Sequence, residues 1–184
     1  MRRRDADKER RVREAVVRLT LRDGMEGCSI AKIAREAGVS PATVYIYYEN
    51  KEQMLQSLYR EYAAQASRYL LARVREEMDG PQVIRALILG YYQYIAEHTE
   101  VYSFVEQCAH CPSLSEGLPE ICRASELIRR MQRRGILRPY SEQALTAVMF
   151  YPVKAIATEY PAGDPRAGAC LEELIDIVTR AVLY

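Results

Sequence analysis

Two cysteines with a histidine between them are the residues of this sequence whose chemistry is easiest to name. Cys108 and Cys111 stand three positions apart, and His110 lies inside the pair. At this spacing both thiols share one face of a helix, and thiolate and imidazole are preferred zinc ligands. Structural zinc takes four ligands, and the nearest further candidates are His98 and Cys122. A metal-responsive site, a thiol redox switch and a pair of inert buried thiols are the three interpretations, and we favour the third.

Other enzyme chemistries lack their characteristic residues. The chain has two histidines, and it contains no glycine-rich phosphate loop, no G-x-S-x-G, no H-E-x-x-H and no clustered carboxylates. We therefore predict that the protein is not an enzyme and that it needs no cofactor and no metal. The one enzymatic alternative is a thiol-disulfide redox enzyme centred on Cys108 and Cys111, and the flanking sequence lacks the βαβ setting of such enzymes.

A second group of residues, between Ile30 and Glu49, has the spacing of a helix-turn-helix in the sequence IAKIAREAGVSPATVYIYYE. This motif needs a small residue where its helices touch, here Ala34, and a glycine that accepts a left-handed turn, here Gly38. The apolar residues that would lock the two helices together are Ile33, Val39, Val44 and Tyr48. The pattern predicts that residues 40–47 form a helix offered to the DNA major groove. This helix carries no charged side chain, which favours apolar contacts with thymine methyl groups and hydroxyl contacts with phosphates.

Helical periodicity dominates the segments that would position these residues. Apolar residues recur at intervals of three and four along almost every long segment, and no segment alternates as a strand does. We predict an all-α fold of about nine helices, with a three-helix helix-turn-helix domain at the N-terminus. Helix 1 should end at Asp23-Gly24. Helix 4 should begin after the capping residue Asn50 and continue to Met78, a length of roughly 42 Å.

Charge is distributed unevenly along the 184 residues. Residues 1–60 hold 13 basic and 9 acidic side chains, whereas residues 61–184 hold 13 basic and 16 acidic ones. A basic N-terminal segment on a mildly acidic body indicates an anionic partner at one end. The longest uncharged segment, residues 37–48, is too short to span a membrane. No apolar segment follows the basic N-terminus, so we predict that it is not a secretory signal. The five cysteines are odd in number, and we predict reduced thiols and a cytoplasmic location.

The segment from Asp7 to Tyr62, with GVSPATVYIYYENKEQML at its centre, resembles the DNA-binding domain of the TetR/AcrR family of bacterial transcriptional regulators. The resemblance implies an all-helical homodimer that binds a palindromic operator on double-stranded DNA. It also implies release by a small ligand that binds in the larger, C-terminal domain. We predict that residues 1–50 form the DNA-binding domain and that residues 51–184 form the effector-binding and dimerisation domain, with no membrane partner.

The resemblance assigns the family's DNA contacts to the matching positions of this sequence. Ser29 and Lys51 resemble phosphate contacts at the two flanking helices, and Tyr47 resembles a third. Many members have His or Trp where this chain has Ile46, so the resemblance assigns no role to Ile46. The complete predicted DNA-binding set is Ser29, Ser40, Pro41, Ala42, Thr43, Tyr45, Tyr47 and Lys51.

Tyrosines are the candidate ligand-contacting residues of the larger domain. The chain has 14 Tyr, 2 Phe and no Trp, and tyrosine offers an apolar ring with a polar tip to an amphipathic, aromatic or cationic ligand. The resemblance places several of these tyrosines on the helices that enclose the effector cavity; the alternative is that they are core residues at helical spacing. The predicted ligand-binding set is Tyr59, Tyr62, Tyr91, Tyr92, Tyr102 and Glu106.

The last two predicted helices, residues 141–160 with a kink at Pro152 and residues 164–183, carry apolar stripes. Two such stripes can pack against their two-fold copies as a four-helix bundle, which predicts a homodimer. The residues of the stripes are Ala144, Leu145, Val148, Met149, Val153, Ile156, Leu171, Leu174, Ile175, Val178 and Val182.

Overall fold

The chain folds entirely from α-helices in the part that the structure, a computed structural model, describes: residues 2–115, 123–160 and 163–184. Ten helices lie in these ranges, and an isolated bridge between Leu137 and Leu183 is the β-type pairing there. The predicted all-α class is confirmed, and the additional helix is the four-residue α7. The helices are α1 (Arg2–Gly27), α2 (Ile30–Ala37), α3 (Pro41–Tyr47), α4 (Lys51–Leu71), α5 (Gly80–Glu97), α6 (Thr99–Ala109), α7 (Pro112–Ser115), α8 (Arg123–Arg133), α9 (Glu142–Glu159) and α10 (Pro165–Val182). None of these described helices is both long enough and apolar enough to cross a membrane.

The chain divides into two compact units. The first, called the N-terminal unit, consists of Met1–Ala63 and Glu100–Leu118. The second, called the C-terminal unit, consists of Ala64–Thr99 and Pro119–Tyr184.

The N-terminal unit is built around one face of α1. The predicted stripe of this helix is buried in the core of the unit, where it packs with α2, α3 and the first half of α4. Gly24 adopts a left-handed φ of 73° and kinks α1, but helical structure resumes and continues to Gly27. The first segment of α1 therefore ends at Asp23-Gly24, as the sequence predicts, and the residues after Gly24 form a separate short helical turn. The stripe residues are Val12, Ala15, Val16 and Leu19, each at most 1% exposed.

Helix α4 is shorter than its apolar pattern predicts. It ends at Leu71 and not at Met78, so its 21 residues span roughly 32 Å. Val74 and Met78 still pack against the core of the C-terminal unit, but they reach it from the segment that follows the helix. Asp79 then caps α5 in a reciprocal capping box with Gln82. The apolar pattern therefore predicted correctly that these residues are buried, but it predicted a helix that is too long.

The C-terminal unit packs α5, α9 and α10 against one another. This arrangement corrects the prediction for the two apolar stripes, because nine of the eleven residues are buried inside the unit and are not available to a partner copy. The stripes face α5, whose own core residues include Ile84 and Ile88. Helix α9 runs through Pro152 as one helix. The nine buried residues are Leu145, Met149, Val153, Ile156, Leu171, Leu174, Ile175, Val178 and Val182.

Candidate nucleic-acid interface

Helix α2 begins and ends as the sequence predicts. The side chain of Ser29 caps it by accepting a hydrogen bond from the backbone N–H of Lys32 at 3.3 Å. Gly38 ends it in the left-handed conformation, with φ 63° and ψ 41°. The N–H of Val39 then donates to the carbonyl oxygen of Ala34 at 2.9 Å, which closes the turn.

Helix α3 begins at Pro41, three residues after Gly38. The Ser40 side chain accepts a hydrogen bond from the N–H of Thr43 at 3.2 Å, and Pro41 occupies the first turn, where its missing N–H costs nothing. The inner side of the helix buries Val44 completely and leaves Tyr48, the C-cap, 5% exposed. Ile33, Ala34 and half-buried Val39 complete the predicted contact between the two helices. The structure therefore confirms the helix-turn-helix geometry.

The outer side of α3 presents a small, uncharged surface. Tyr45 is 57% exposed, Ile46 is 76% exposed, and Pro41 and Ala42 are exposed as well. Thr43 and Tyr47 are half-buried at the edges of this surface. We call Ser40, Pro41, Ala42, Thr43, Tyr45, Ile46 and Tyr47 the α3 surface. Six of its seven residues belong to the predicted DNA-binding set.

The two flanking residues of the set lie at helix N-termini outside α3. Ser29 is exposed at the start of α2. Lys51 is half-buried at the start of α4, and its ammonium donates a hydrogen bond to the carbonyl oxygen of Met25 at 2.9 Å. Sequence reasoning missed this contact because it joins residues 26 positions apart. An ammonium has three hydrogens, so Lys51 can hold Met25 and still bind a phosphate.

The basic residues of α1 are extensively paired with acidic ones. Arg10 bridges Asp7 at 2.8 Å and Glu14 at 2.7 Å, and Arg13 bridges Glu9 at 2.7 Å and also pairs with Glu61. The Arg10 guanidinium, which hydrogen-bonds the Asp7 carboxylate, lowers the pKa of Asp7. The side chains of residues 2–5 lie outside the described residues. Within the described part, therefore, much of the basic excess of α1 is neutralised locally.

The predicted ligand-binding set divides between the two units. Tyr59 is 2% exposed in the core of the N-terminal unit, where burial, with a smaller contribution from Cys108, raises its pKa. Tyr62 packs edge-on against Phe104, with ring centroids 5.9 Å apart. Tyr102 and Glu106 are half-buried on α6.

Tyr91 and Tyr92 belong to the C-terminal unit, where both are half-buried against its core. The ring of Tyr91 packs against Phe150 at a centroid distance of 5.1 Å. A second aromatic cluster, formed by tyrosines outside the predicted ligand-binding set, lies on α4 and α5. In it, Tyr69 packs against Tyr94 at 5.1 Å and donates a hydrogen bond to Glu97 at 2.6 Å.

The Cys-x-x-Cys pair does not have the environment of a reactive or metal-binding site. Burial, followed by the proximity of Cys111, raises the pKa of Cys108 to about 12, so its thiol is protonated at neutral pH. Cys111 is half-buried, and its sulfur lies 3.3 Å from the hydroxyl of Ser113. His110 is exposed, and Cys122 lies outside the described residues. Among the described residues no three His, Cys, Asp or Glu side chains are grouped to hold a metal ion.

Comparisons with known proteins agree with the helix-turn-helix. A family model described as bacterial regulatory proteins of the tetR family matches residues 13–58. An uncharacterized HTH-type transcriptional regulator of Haemophilus influenzae is 24% identical over 151 residues, which cover 79% of this chain and 79% of that protein. The nicotine-responsive transcriptional repressor HdnoR of Paenarthrobacter nicotinovorans is 31% identical over 81 residues, which cover 44% of this chain and 40% of that protein.

The fold agreement extends over the whole chain. A TetR family transcription regulator from Marinobacter aquaeolei VT8, known from a crystal structure, is 27% identical and superposes with a TM-score of 0.82. The superposition covers 100% of this chain and 99% of the other. These relatives are transcription regulators and not enzymes. Residues 13–58 therefore match the tetR family of bacterial regulatory proteins, the chain has the fold of TetR family transcription regulators, and its DNA-binding helix-turn-helix consists of α2 and α3.

Proposed function

We propose that the protein is a cytoplasmic, homodimeric transcriptional repressor that binds a palindromic operator and is released by a small ligand. The observation that carries this proposal is the α3 surface, which faces outward while Val44 and Tyr48 lock the same helix into the core. Residues 1–50 form the DNA-binding domain, to which Lys51 adds a phosphate contact, and the domain of residues 51–184 binds the ligand and forms the dimer. No metal and no cofactor take part.

The DNA contacts follow from exposure and side-chain chemistry. Pro41, Ala42, Thr43 and Tyr45 face the major groove, where apolar and hydroxyl groups discriminate base edges. Ser29, Tyr47 and Lys51 bind phosphates of the flanking backbone, and such contacts fix the register of the protein on the duplex. Ser40 caps α3 and places its first turn at the groove.

The dimer is built from side chains that the core of the C-terminal unit leaves exposed. On α9 these residues recur at intervals of four, three and four, and on α10 two of them stand four residues apart, so each helix presents one exposed stripe. Val148 is 43% exposed, Tyr151 69% and Ile177 61%. Two copies that pair these stripes form a four-helix bundle around a two-fold axis. The stripe residues are Ala144, Val148, Tyr151 and Ala155 on α9, Ile177 and Ala181 on α10, and Tyr184 just beyond the end of α10.

Ligand release acts through α4. This helix begins at Lys51, four residues after the end of α3, and carries Tyr59 and Tyr62. A ligand that contacts these tyrosines displaces the helix that starts beside the DNA-binding motif, and a shift of a few ångströms spoils the half-site spacing of about 34–36 Å. Ligand and operator then bind antagonistically, and the coupling is reciprocal. The nicotine-responsive relative supports the combination of repressor and small-molecule response.

Selection from a random duplex library followed by footprinting tests the proposal. The protein should enrich a palindromic sequence, protect both half-sites and lower transcription from a promoter that contains them. Ala42→Asp should weaken binding to this duplex at least 100-fold, because it places a carboxylate against the DNA. The matched control is Ala72→Asp, at an exposed alanine just beyond α4, which should bind as the wild type does. Failure to enrich any sequence, or unchanged binding by Ala42→Asp, would contradict the proposal.

A further inference from the structure

Ile46 is an exposed aliphatic residue at the position of α3 to which the family resemblance assigns no role. Its side chain is 76% exposed, more than Val148, Ile177 or any other large aliphatic side chain among the described residues. A β-branched residue also has a lower helix propensity than alanine or leucine, so Ile46 does little for α3 as a helix. Single exposed apolar residues are common on protein surfaces, so exposure alone indicates no role.

The position of Ile46 around the helix is the informative feature. Successive residues of an α-helix are rotated by about 100°, so Ala42 and Ile46 each lie about 160° from the buried Val44. Thr43 and Tyr45 lie only about 100° from Val44 and form the two sides. The centre of the outward face is therefore the pair Ala42 and Ile46, four residues apart. A helix that enters a groove with Val44 on its inner side brings this pair closest to the base edges.

The chemistry of this pair selects one feature of the major groove. Ala42 and Ile46 carry neither a donor nor an acceptor, so they cannot recognise guanine, cytosine or the adenine amino group by hydrogen bonding. The apolar group that a base pair presents in the major groove is the C5-methyl of thymine. The small Ala42 lets the helix axis approach the groove, and the branched Ile46 fills the space beside it.

We propose that Ile46 is a specificity-determining residue that contacts a thymine methyl group in each half-site of the operator. This inference rests on the proposed DNA-binding function and adds to it the residue and the base. The partner atom is a carbon and the contact is apolar, so the contact requires no proton transfer and no counter-ion. Burying one methyl group against Ile46 strengthens binding about fourfold per half-site, and the two half-sites of a dimer together give roughly fifteenfold.

Uracil substitution tests the contact directly, because uracil lacks only the methyl group of thymine. The probe is the strongest 30-base-pair duplex recovered from the random library, together with duplexes in which one symmetric pair of thymines at a time is replaced by uracil. For the wild type, one such pair should weaken binding roughly fifteenfold. For Ile46→Ala the same replacement should have less than a twofold effect. Ile46→Val keeps the branched methyl groups and should retain most of the wild-type discrimination.

The outcomes separate this inference from the proposed function. Equal loss on uracil substitution in the wild type and in Ile46→Ala would overturn the inference, and so would a uniform loss by Ile46→Ala on every duplex. In both cases the proposed DNA-binding function would stand, because a duplex was enriched. Failure of the library to enrich any duplex would instead overturn the proposed function. Circular dichroism should give the same helix content for all three proteins, since Ile46 lies outside the core.

Discussion

Gly38 shows at the scale of one residue how the helix-turn-helix depends on backbone conformation. Its φ of 63° and ψ of 41° lie in the left-handed region, where a Cβ atom is strained. A Cβ at this position would also lie 3.4 Å from Nη1 of Arg11, whose guanidinium donates to the carbonyl oxygen of Ala37 at 3.0 Å. The turn that directs α3 outward therefore requires glycine for its conformation more than for its space.

Replacing Gly38 with alanine should lower the free energy of unfolding by about 1–2 kcal/mol. Urea unfolding followed by circular dichroism measures this change. The matched control is Gly168→Ala inside α10, where a Cβ meets no atom within 4 Å and φ is not positive. That substitution should raise stability by up to about 1 kcal/mol. Equal effects of the two substitutions would contradict the conformational argument.

Cys108 illustrates a second effect at the residue scale, in which burial acts on ionisation. Burial raises the pKa of this thiol from its ordinary 9.0 to about 12 in the folded protein. Its protonated form is therefore favoured by folding. The resulting stabilisation is complete below pH 9, and it is lost between pH 9 and 12 as the unfolded chain releases the proton first.

Stability should accordingly fall less steeply above pH 9 in Cys108→Ala than in the wild type, even though the variant is less stable at pH 7 because of the cavity. Chemical unfolding at pH 7, 9 and 10.5 gives the comparison. Cys170→Ala, at a half-buried cysteine, serves as the control and should follow the wild-type slope. Parallel curves for the wild type and Cys108→Ala would show that the thiol ionises equally well in both states.

At the scale of the element, local signals predicted α2, the turn and α3 well. Ser29, Gly38 and Ser40 act on their own neighbours, so their sequence positions determine where these helices begin and end. The end of α4 was not predictable in this way, because the apolar pattern continues past Leu71 to Val74 and Met78, which also pack against the core. The two apolar stripes of α9 and α10 were recognisable as buried faces. Periodicity shows that a face is buried but does not show which element covers it, and α5 covers these.

The residues of the α3 surface could be predicted from the sequence, but their long-range contacts could not. The helix-turn-helix pattern predicted which residues of α3 are exposed, because one side of the helix is buried and the residues on the opposite side face outward. The hydrogen bond from Lys51 to Met25 could not be predicted, since nothing in the sequence indicates a partner 26 positions away. Tyrosine composition indicated amphipathic side chains without indicating how they divide between the two units.

The side chain of Arg73 connects the end of α4 to α5. Its guanidinium carbon lies 3.6 Å from the ring centroid of Tyr69, and the aliphatic part of its side chain passes over α5 at Gly90. A Cβ at Gly90 would lie 2.7 Å from Cδ of Arg73, so the glycine provides the space for this crossing. The cation–π contact and a hydrogen bond from Arg73 to the carbonyl oxygen of Tyr69 at 2.9 Å hold the arginine there.

Gly90→Ala should therefore be destabilising by about 1 kcal/mol in the wild type, although alanine is the better helix former. In the Arg73→Ala background the same substitution should be neutral or stabilising. A double-mutant cycle measured by urea unfolding isolates the coupling between the two positions. Additive effects would show that the arginine moves aside at no cost.

At the scale of the whole molecule, the exposed stripes of α9 and α10 account for the proposed dimer. Tyr151→Asp combined with Ile177→Asp should give a monomer, because each dimer would bring four carboxylates into an apolar interface. Light scattering at micromolar concentration measures the mass. Tyr45→Asp, which changes a similarly exposed tyrosine on α3, should remain dimeric. A dimeric mass for the double variant would place the interface elsewhere.

The proposed DNA recognition divides between α3, which recognises the base sequence, and flanking residues, which bind phosphates. Its most direct test is the ratio of affinities for the selected duplex and for a scrambled duplex, measured over a salt series for the wild type, Tyr45→Ala and Lys51→Ala. Tyr45→Ala should lower the ratio at least tenfold and leave scrambled-duplex binding within twofold of the wild type. Lys51→Ala should weaken both duplexes similarly and reduce the salt slope by about 1.8 per dimer. An unchanged ratio for Tyr45→Ala, or a changed ratio with an unchanged salt slope for Lys51→Ala, would contradict the claim.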